Sequence, residues 1–204
     1  MNPNELQYRS LSPFRYPGGK AFLSAFLAER IPNKEGDRHY AEPFCGGAGA
    51  ALVLLKADRV QQLHLNDADA RIYSAWRAML TETDRFIDRI LNVPVNVDSW
   101  HWAADLIKDA AKCDYDFDVG FATFFLNRAS RSGIILGAGP ISGYNQAGRW
   151  KIDARFNPDG LAERVRWLGS VRQRISLTNE DGLTFLQNSL IRTPVDRTLF
   201  FIDP

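Results

Sequence analysis

Three glycines, Gly46, Gly47 and Gly49, stand between a short run that reads as a β-strand, Arg38 to Ala41, and an alanine- and leucine-rich run that reads as a helix ending near Ala57. Glycine at such a turn removes the Cβ that would block a nucleoside-like cofactor from the backbone, and it tolerates positive φ. Taken alone, the turn is equally a tight connection between strand and helix. A second strand, Gln62 to Leu65, ends in Asn66-Asp67, about twenty residues on, where a carboxylate can accept hydrogen bonds from both hydroxyls of a ribose. Asp67 or its neighbour Asp69 could instead close an Asx turn or cap the following helix. The loop has neither the dinucleotide glycine spacing nor the Gly-Lys-Ser/Thr ending of a phosphate loop, which disfavours nicotinamide and nucleoside triphosphate ligands and leaves a smaller adenosine-bearing cofactor. At the other end of the chain, Leu199-Phe200-Phe201-Ile202 delivers Asp203-Pro204 at a strand's carboxyl edge, where open α/β sheets place their ligands. As a bare dipeptide, Asp-Pro is also an ordinary strand ending.

These residues need elements to hold them. From His39 to Trp76 the order strand, glycine loop, helix, strand, acidic turn, helix is the cadence of an α/β unit with parallel strands, with the second helix over Asp69 to Leu80. The cadence then breaks until Arg174 to Leu177 and Thr198 to Ile202 add two more buried strands. The spacing predicts a sheet-bearing domain over 1–80 and 174–204 with an inserted subdomain over 81–173. Trp100, Trp102, Leu106 and Ile107 among acidic residues predict a helical first half, and the glycine-rich stretch Gly133 to Lys151 predicts a hairpin or extended loop. A helix from Pro158 to about Arg172 carries Leu161, Val165, Leu168 and Val171 on one face, and Trp150, Phe156 and Trp167 are expected in the subdomain core.

With 204 residues and 45% hydrophobic content, the chain can bury a sizeable core. Its net charge of +1 conceals an uneven distribution. Nine acidic residues face four basic ones between Thr81 and Asp118, whereas Phe125 to Ile175 holds nine basic residues against three acidic ones, a candidate polyanion-facing stretch or simply a set of solvated helices and turns. Cys45 and Cys113 are too few for a disulfide framework and lack zinc spacing, and the three histidines are scattered, so no metal is expected. No apolar leader and no membrane-spanning run is evident, and a reducing cytoplasm fits.

In order, Phe14-Arg15-Tyr16-Pro17-Gly18-Gly19-Lys20, Glu42-Pro43-Phe44-Cys45-Gly46-Gly47-Ala48-Gly49, Asn66-Asp67, Phe125-Leu126-Asn127-Arg128 with Gly133, and Asp203-Pro204 resemble the motifs of the Dam-like N6-adenine DNA methyltransferases, in which the cofactor motifs precede a catalytic Asp-Pro-Pro-Tyr. The resemblance implies a Rossmann-like α/β sheet that binds S-adenosyl-L-methionine, with an inserted, mostly helical target-recognition subdomain. It also implies roles. Tyr16 packs on the cofactor and Lys20, after Gly18 and Gly19, contacts its polar end; Glu42, Pro43, Phe44, Gly46, Gly47 and Gly49 form the run that wraps the methionine moiety; Asp67 holds the ribose and Asp181 contacts the adenine. Without the resemblance, Lys20 reads as a solvated helix start and Asp181 as a helix cap. Double-stranded DNA is the implied partner, met by Asn127, Arg128, Arg131, Asn145, Gln146 and Arg149. Neither the target sequence nor a restriction endonuclease counterpart can be read from these residues.

The implied reaction makes a definite demand on Asp203. The lone pair of adenine N6 is delocalised into the ring, so acceptors must hold its two protons and aim that pair at the methyl sulfonium. The Asp203 carboxylate and the Pro204 carbonyl are the implied acceptors. Because the sequence stops within the four-residue motif, before the aromatic residue that would stack on an extruded base, the expectation is a sheet incomplete at its C-terminus, an aggregation-prone edge and negligible turnover. The alternatives are an RNA or protein amine methyltransferase and a non-catalytic DNA-binding remnant.

Overall fold

Short apolar runs form the parallel strands, and polar caps start most of the helices. The computed structural model describes residues 11–15, 19–112 and 114–204, so the expectations for Tyr16, Gly18 and Cys113 lie outside the described residues. In chain order these form α1 (Ser24–Ala28), β1 (His39–Glu42), α2 (Gly49–Lys56), β2 (Gln62–Asn66), α3 (Ala70–Thr81), α4 (Thr83–Asn92), α5 (Val97–Ile107), α6 (Phe117–Ala129), α7 (Pro158–Ser170), β3 (Ile175–Thr178), α8 (Gly182–Arg192) and β4 (Thr198–Phe200), joined by 3-10 turns and loops. The fold is α/β. Its sheet is parallel throughout, in the order β3-β2-β1-β4, with His39 opposite both Gln62 and Thr198 and Leu63 opposite Ile175. The chain steps outward from β1 to β3 and then returns to the other side of β1, so the topological switch point, where such sheets bind ligands, lies between β1 and β4.

Backbone contacts divide the described residues into two compact units, 11–12 with 19–68 and 172–204, and 13–15 with 69–171. In the first, Tyr40, Ala41, Leu63 and Leu65 of the central strands are fully buried, as parallel strands covered on both faces require. Ala50 to Leu55 are buried on all sides of α2, because this eight-residue helix connects β1 to β2 inside the core. His39 and His64, distant in sequence, stack at 5.1 Å with a ring nitrogen contact of 2.9 Å. Burial lowers the pKa of both, that of His64 to about 4, which disfavours the charged form of each ring. Among the described residues no cluster suited to a metal occurs, and no helix is long and apolar enough to cross a membrane.

The second unit is helical, and it takes in α3, whose Ala75, Trp76 and Met79 are fully buried. Caps set its helix starts: Asp69, Asn96, Asp116 and Asn157 accept from the backbone N–H groups of Arg71, Ser99, Val119 and Gly160. At its centre α6 is buried nearly all round, and Phe86 of α4 meets Phe117, Phe121 and Phe124 of α6 at 5.3–5.9 Å. Each such ring contributes roughly 1.5–3 kcal/mol by burial. Leu161, Val165 and Leu168 form the buried face of α7. The stretch from Gly133 to Lys151 is irregular, tied by a Ser130–Pro140 bridge and by Gln146. Of the aromatics expected in the core, Phe156 is buried and Trp167 half-buried, but Trp150 is 66% exposed. It stands in the irregular stretch, with the Arg149 guanidinium 5.2 Å from its ring.

Candidate functional site

The carboxyl ends of β1, β2 and β3 are stitched together by one side chain. Asn66, fully buried at the end of β2, donates to the carbonyls of Pro43 and Glu180 at 2.9 Å each and accepts from the Glu180 N–H and the Thr178 hydroxyl at 2.8 Å each. Both faces of its amide are thereby used. The Cys45 N–H reaches the Asn66 carbonyl at 2.8 Å. Asn66 thus determines where Pro43, Asp67 and Glu180 leave the sheet.

The glycine turn follows β1. Gly46 has φ +44° and Ala48, which precedes α2, has φ +46°, so the chain turns into the helix through left-handed residues. The Gly46 N–H donates to Asp67 Oδ2 at 3.0 Å, and the Ser12 hydroxyl donates to the Gly47 carbonyl at 2.6 Å. Asp67 therefore leans on the turn, while Asp69 is the residue that caps α3. On the other flank, the Phe44 ring lies so close to Gly182 that a Cβ there would stand 2.5 Å from it. Asp181 caps α8, its Oδ1 accepting from the N–H groups of Leu183 at 2.9 Å and Thr184 at 3.4 Å.

Across β1 from these residues, β4 brings Asp203 to the same edge. The Phe201 N–H bonds the Ala41 carbonyl at 2.9 Å and its ring stacks on Tyr40 at 6.5 Å. Lys20, just after Gly19, forms an ion pair with Asp203 through Oδ2. At the end of β1, Glu42 is buried and accepts the Tyr40 hydroxyl at 2.8 Å. Burial, offset in part by that bond and reinforced by the Asp203 charge, pushes the Glu42 pKa up to about 8. Glu42 thus holds its proton more tightly than a free carboxyl group. The Cys45 thiol is also pushed well up by burial and by Asp67 and Glu42, which leaves it a packing residue rather than a nucleophile.

The edge therefore gathers Gly19, Lys20, Glu42 to Gly49, Asp67, Asp181 and Asp203-Pro204 in one unit. Sequence reasoning singled out the Asn66-Asp67 run without giving Asn66 a role of its own, and it assigned none to Ser12, Tyr40 or Gly182. An asparagine inside an apolar strand and a glycine directly after an acidic cap were the available signals.

The residues expected to meet DNA lie in the helical unit and divide into two groups. Asn127 is buried and clamps the chain at Arg15, accepting its N–H at 2.6 Å and donating to its carbonyl at 2.7 Å and to that of Gly133 at 2.8 Å. Arg128 is also buried, on the carbonyls of Arg155 and Pro13. Gln146 spends its amide on Ile141, Gly143 and Ile152 of its own loop. Arg131, Asn145 and Arg149 are exposed.

Against known families, residues 16–99 match the one described as D12 class N6 adenine-specific DNA methyltransferase. Comparison with curated proteins finds no match. The matched span takes in β1, the glycine turn, α2, β2 and Asp67, while Asp181 and Asp203 lie beyond it.

Proposed function

We propose that this chain carries the site of an N6-adenine DNA methyltransferase, which binds S-adenosyl-L-methionine at the carboxyl edge of its sheet and takes adenine in double-stranded DNA as its target, with residues 69–171 reading the DNA. The observation that carries the reading is the hydrogen bond from the Gly46 N–H to Asp67 inside the family-matched span, at a switch point whose other side carries Asp203. It couples the turn that admits a nucleoside to the carboxylate that would hold its ribose.

The residues present fit that cofactor. Asp67, held to the turn by the Gly46 N–H, is a carboxylate with several acceptor directions, and a ribose diol needs acceptors at this place. Phe44, 39% exposed beside Gly182, offers a ring face at the same edge. S-adenosylmethionine, when bound, supplies an electrophilic methyl group on a sulfonium. Asp203 supplies what adenine N6 lacks. With Lys20 on Oδ2, Oδ1 is oriented to accept one N6 proton and the Pro204 carbonyl the other, which directs the nitrogen lone pair. Lys20 limits the rotation of Asp203, so the acceptor is aimed before the base arrives.

The test is calorimetry with S-adenosylmethionine on the wild-type chain and on Asp67→Ala. Losing a hydrogen bond to a charged group costs about 1.5–3 kcal/mol, so the variant should bind roughly 10- to 100-fold more weakly. Transfer of labelled methyl to adenine in duplex DNA but not in RNA identifies the substrate. A wild-type chain that ignores the cofactor, or an Asp67→Ala variant that binds it equally well, ends the proposal.

A further inference from the structure

Four arginines meet in the helical unit around a guanidinium that has little access to water. Arg128, on α6, is 9% exposed; its Nε donates to the Arg155 carbonyl at 2.8 Å and its Nη1 to the Pro13 carbonyl at 3.4 Å. Those bonds draw together α6, the segment at 13–15 and the 3-10 turn Ile152–Arg155. Arg15 is held there by the Asn127 clamp and by Gly133, whose φ of +76° and lack of a Cβ let the Arg15 carbonyl pass where a Cβ would stand 2.5 Å away. The Arg15 Nη1 is buried without a hydrogen-bond partner. Among the described residues, no carboxylate lies within ion-pairing distance of Arg15, Arg128 or Arg155.

Like charges gathered this way work against each other. Burial first, and then the charges of Arg164, Arg15 and Arg155, lower the Arg128 pKa to about 9. Burial and Arg155 lower that of Arg15. Proteins keep buried charges where an opposite charge compensates them. The planar forks of several arginines match the tetrahedral oxygens of a phosphate, which can take two parallel N–H bonds from each.

We propose that Arg15, Arg128 and Arg155 form a receptor for one phosphodiester of a DNA backbone. The choice of DNA rests on the methyltransfer reading; the anion rests on the cluster itself. This contact positions the duplex and carries no base information. In this reading the Arg15 Nη1, buried without a partner, and the exposed Arg155 supply the donors, and the buried Arg128 braces the segments that carry them.

The test compares thermal unfolding of the whole chain in chloride and in inorganic phosphate at equal ionic strength, for wild type, Arg15→Gln, Arg155→Gln and the exposed control Arg172→Gln. Phosphate should raise the wild-type melting temperature, Arg172→Gln should keep the increment, and the other two variants should lose most of it. Because the Arg15 Nη1 has no partner to lose, Arg15→Gln should melt at or above wild type in chloride, whereas a purely structural arginine would lower it. For duplex DNA of several sequences, each of the two substitutions should weaken binding evenly and reduce the slope of log affinity against log salt by about one. A wild type indifferent to phosphate, an increment that survives in both variants, or DNA binding unaffected by them overturns the proposal. A wild type that fails to bind S-adenosylmethionine while the arginine results hold removes the methyltransfer reading and leaves the DNA phosphate receptor supported.

Discussion

Glu42 illustrates how a single residue can differ from what its motif suggests. It belongs to the run that resembles a cofactor-wrapping loop, yet its carboxyl is buried against the Tyr40 hydroxyl. Burial is the main cause of its raised pKa of about 8; the Tyr40 bond opposes the shift and the Asp203 charge adds to it. An unfolded glutamate titrates near about 4.3. Between those two values the folded chain keeps a proton that the unfolded chain has released, so stability from this source is complete below the lower value and declines as pH rises to the upper one. Glu42→Gln should remove that decline, its stability gaining on wild type from about pH 5 to about pH 8 by on the order of a few kcal/mol, read as a rise in relative melting temperature. Melting curves that stay parallel across the range would show that Glu42 ionises normally. At the same scale Asp181 caps its helix through Oδ1, a role its position before Gly182 made legible.

At the scale of elements, parallel strands and capped helices were the readable ones. Each of the four strands falls within two residues of its sequence expectation, but of the two later strands expected to be buried, β3 has no buried residue and β4 only Thr198, because each pairs on one side only, at an edge of the sheet. The central helix α6 was the hardest to see. Its run Phe117 to Ala129 is apolar on nearly every face, so it has no stripe to mark a helix, and only its neighbours account for it. Gly120 is the point of closest approach, where a Cβ would lie 2.6 Å from the Ser74 carbonyl carbon and oxygen of α3. Alanine is the better helix former by about 1 kcal/mol, yet Gly120→Ala should destabilise the protein by about 1–3 kcal/mol, because backbone must move to admit the methyl group. Denaturant unfolding measures the sign, and a stabilised variant would mean that α3 and α6 are less closely packed than described.

For the molecule as a whole, the two contact units suggest a division of labour that hydrogen exchange can examine. S-adenosylmethionine should protect amides in 42–49, 66–67 and 180–183, and duplex DNA those in 13–15 and 128–156. Protection of the same peptides by both ligands would contradict the division. By itself the sequence determined the α/β cadence, the glycine turn and the carboxylates at the strand ends, since these follow from backbone geometry and from hydrophobic spacing over a few residues. It also carried the family resemblance through runs that a phosphate-loop or dinucleotide pattern would not produce. Only the tertiary structure decided that Asn66 ties three strand ends together, that Lys20 sits on Asp203, that Trp150 points to solvent and that Arg15, Arg128, Arg155 and Arg164 share one region. Those outcomes depend on which distant segments meet. Burial and charge energies are set by the neighbours that folding supplies, and no local pattern contains them.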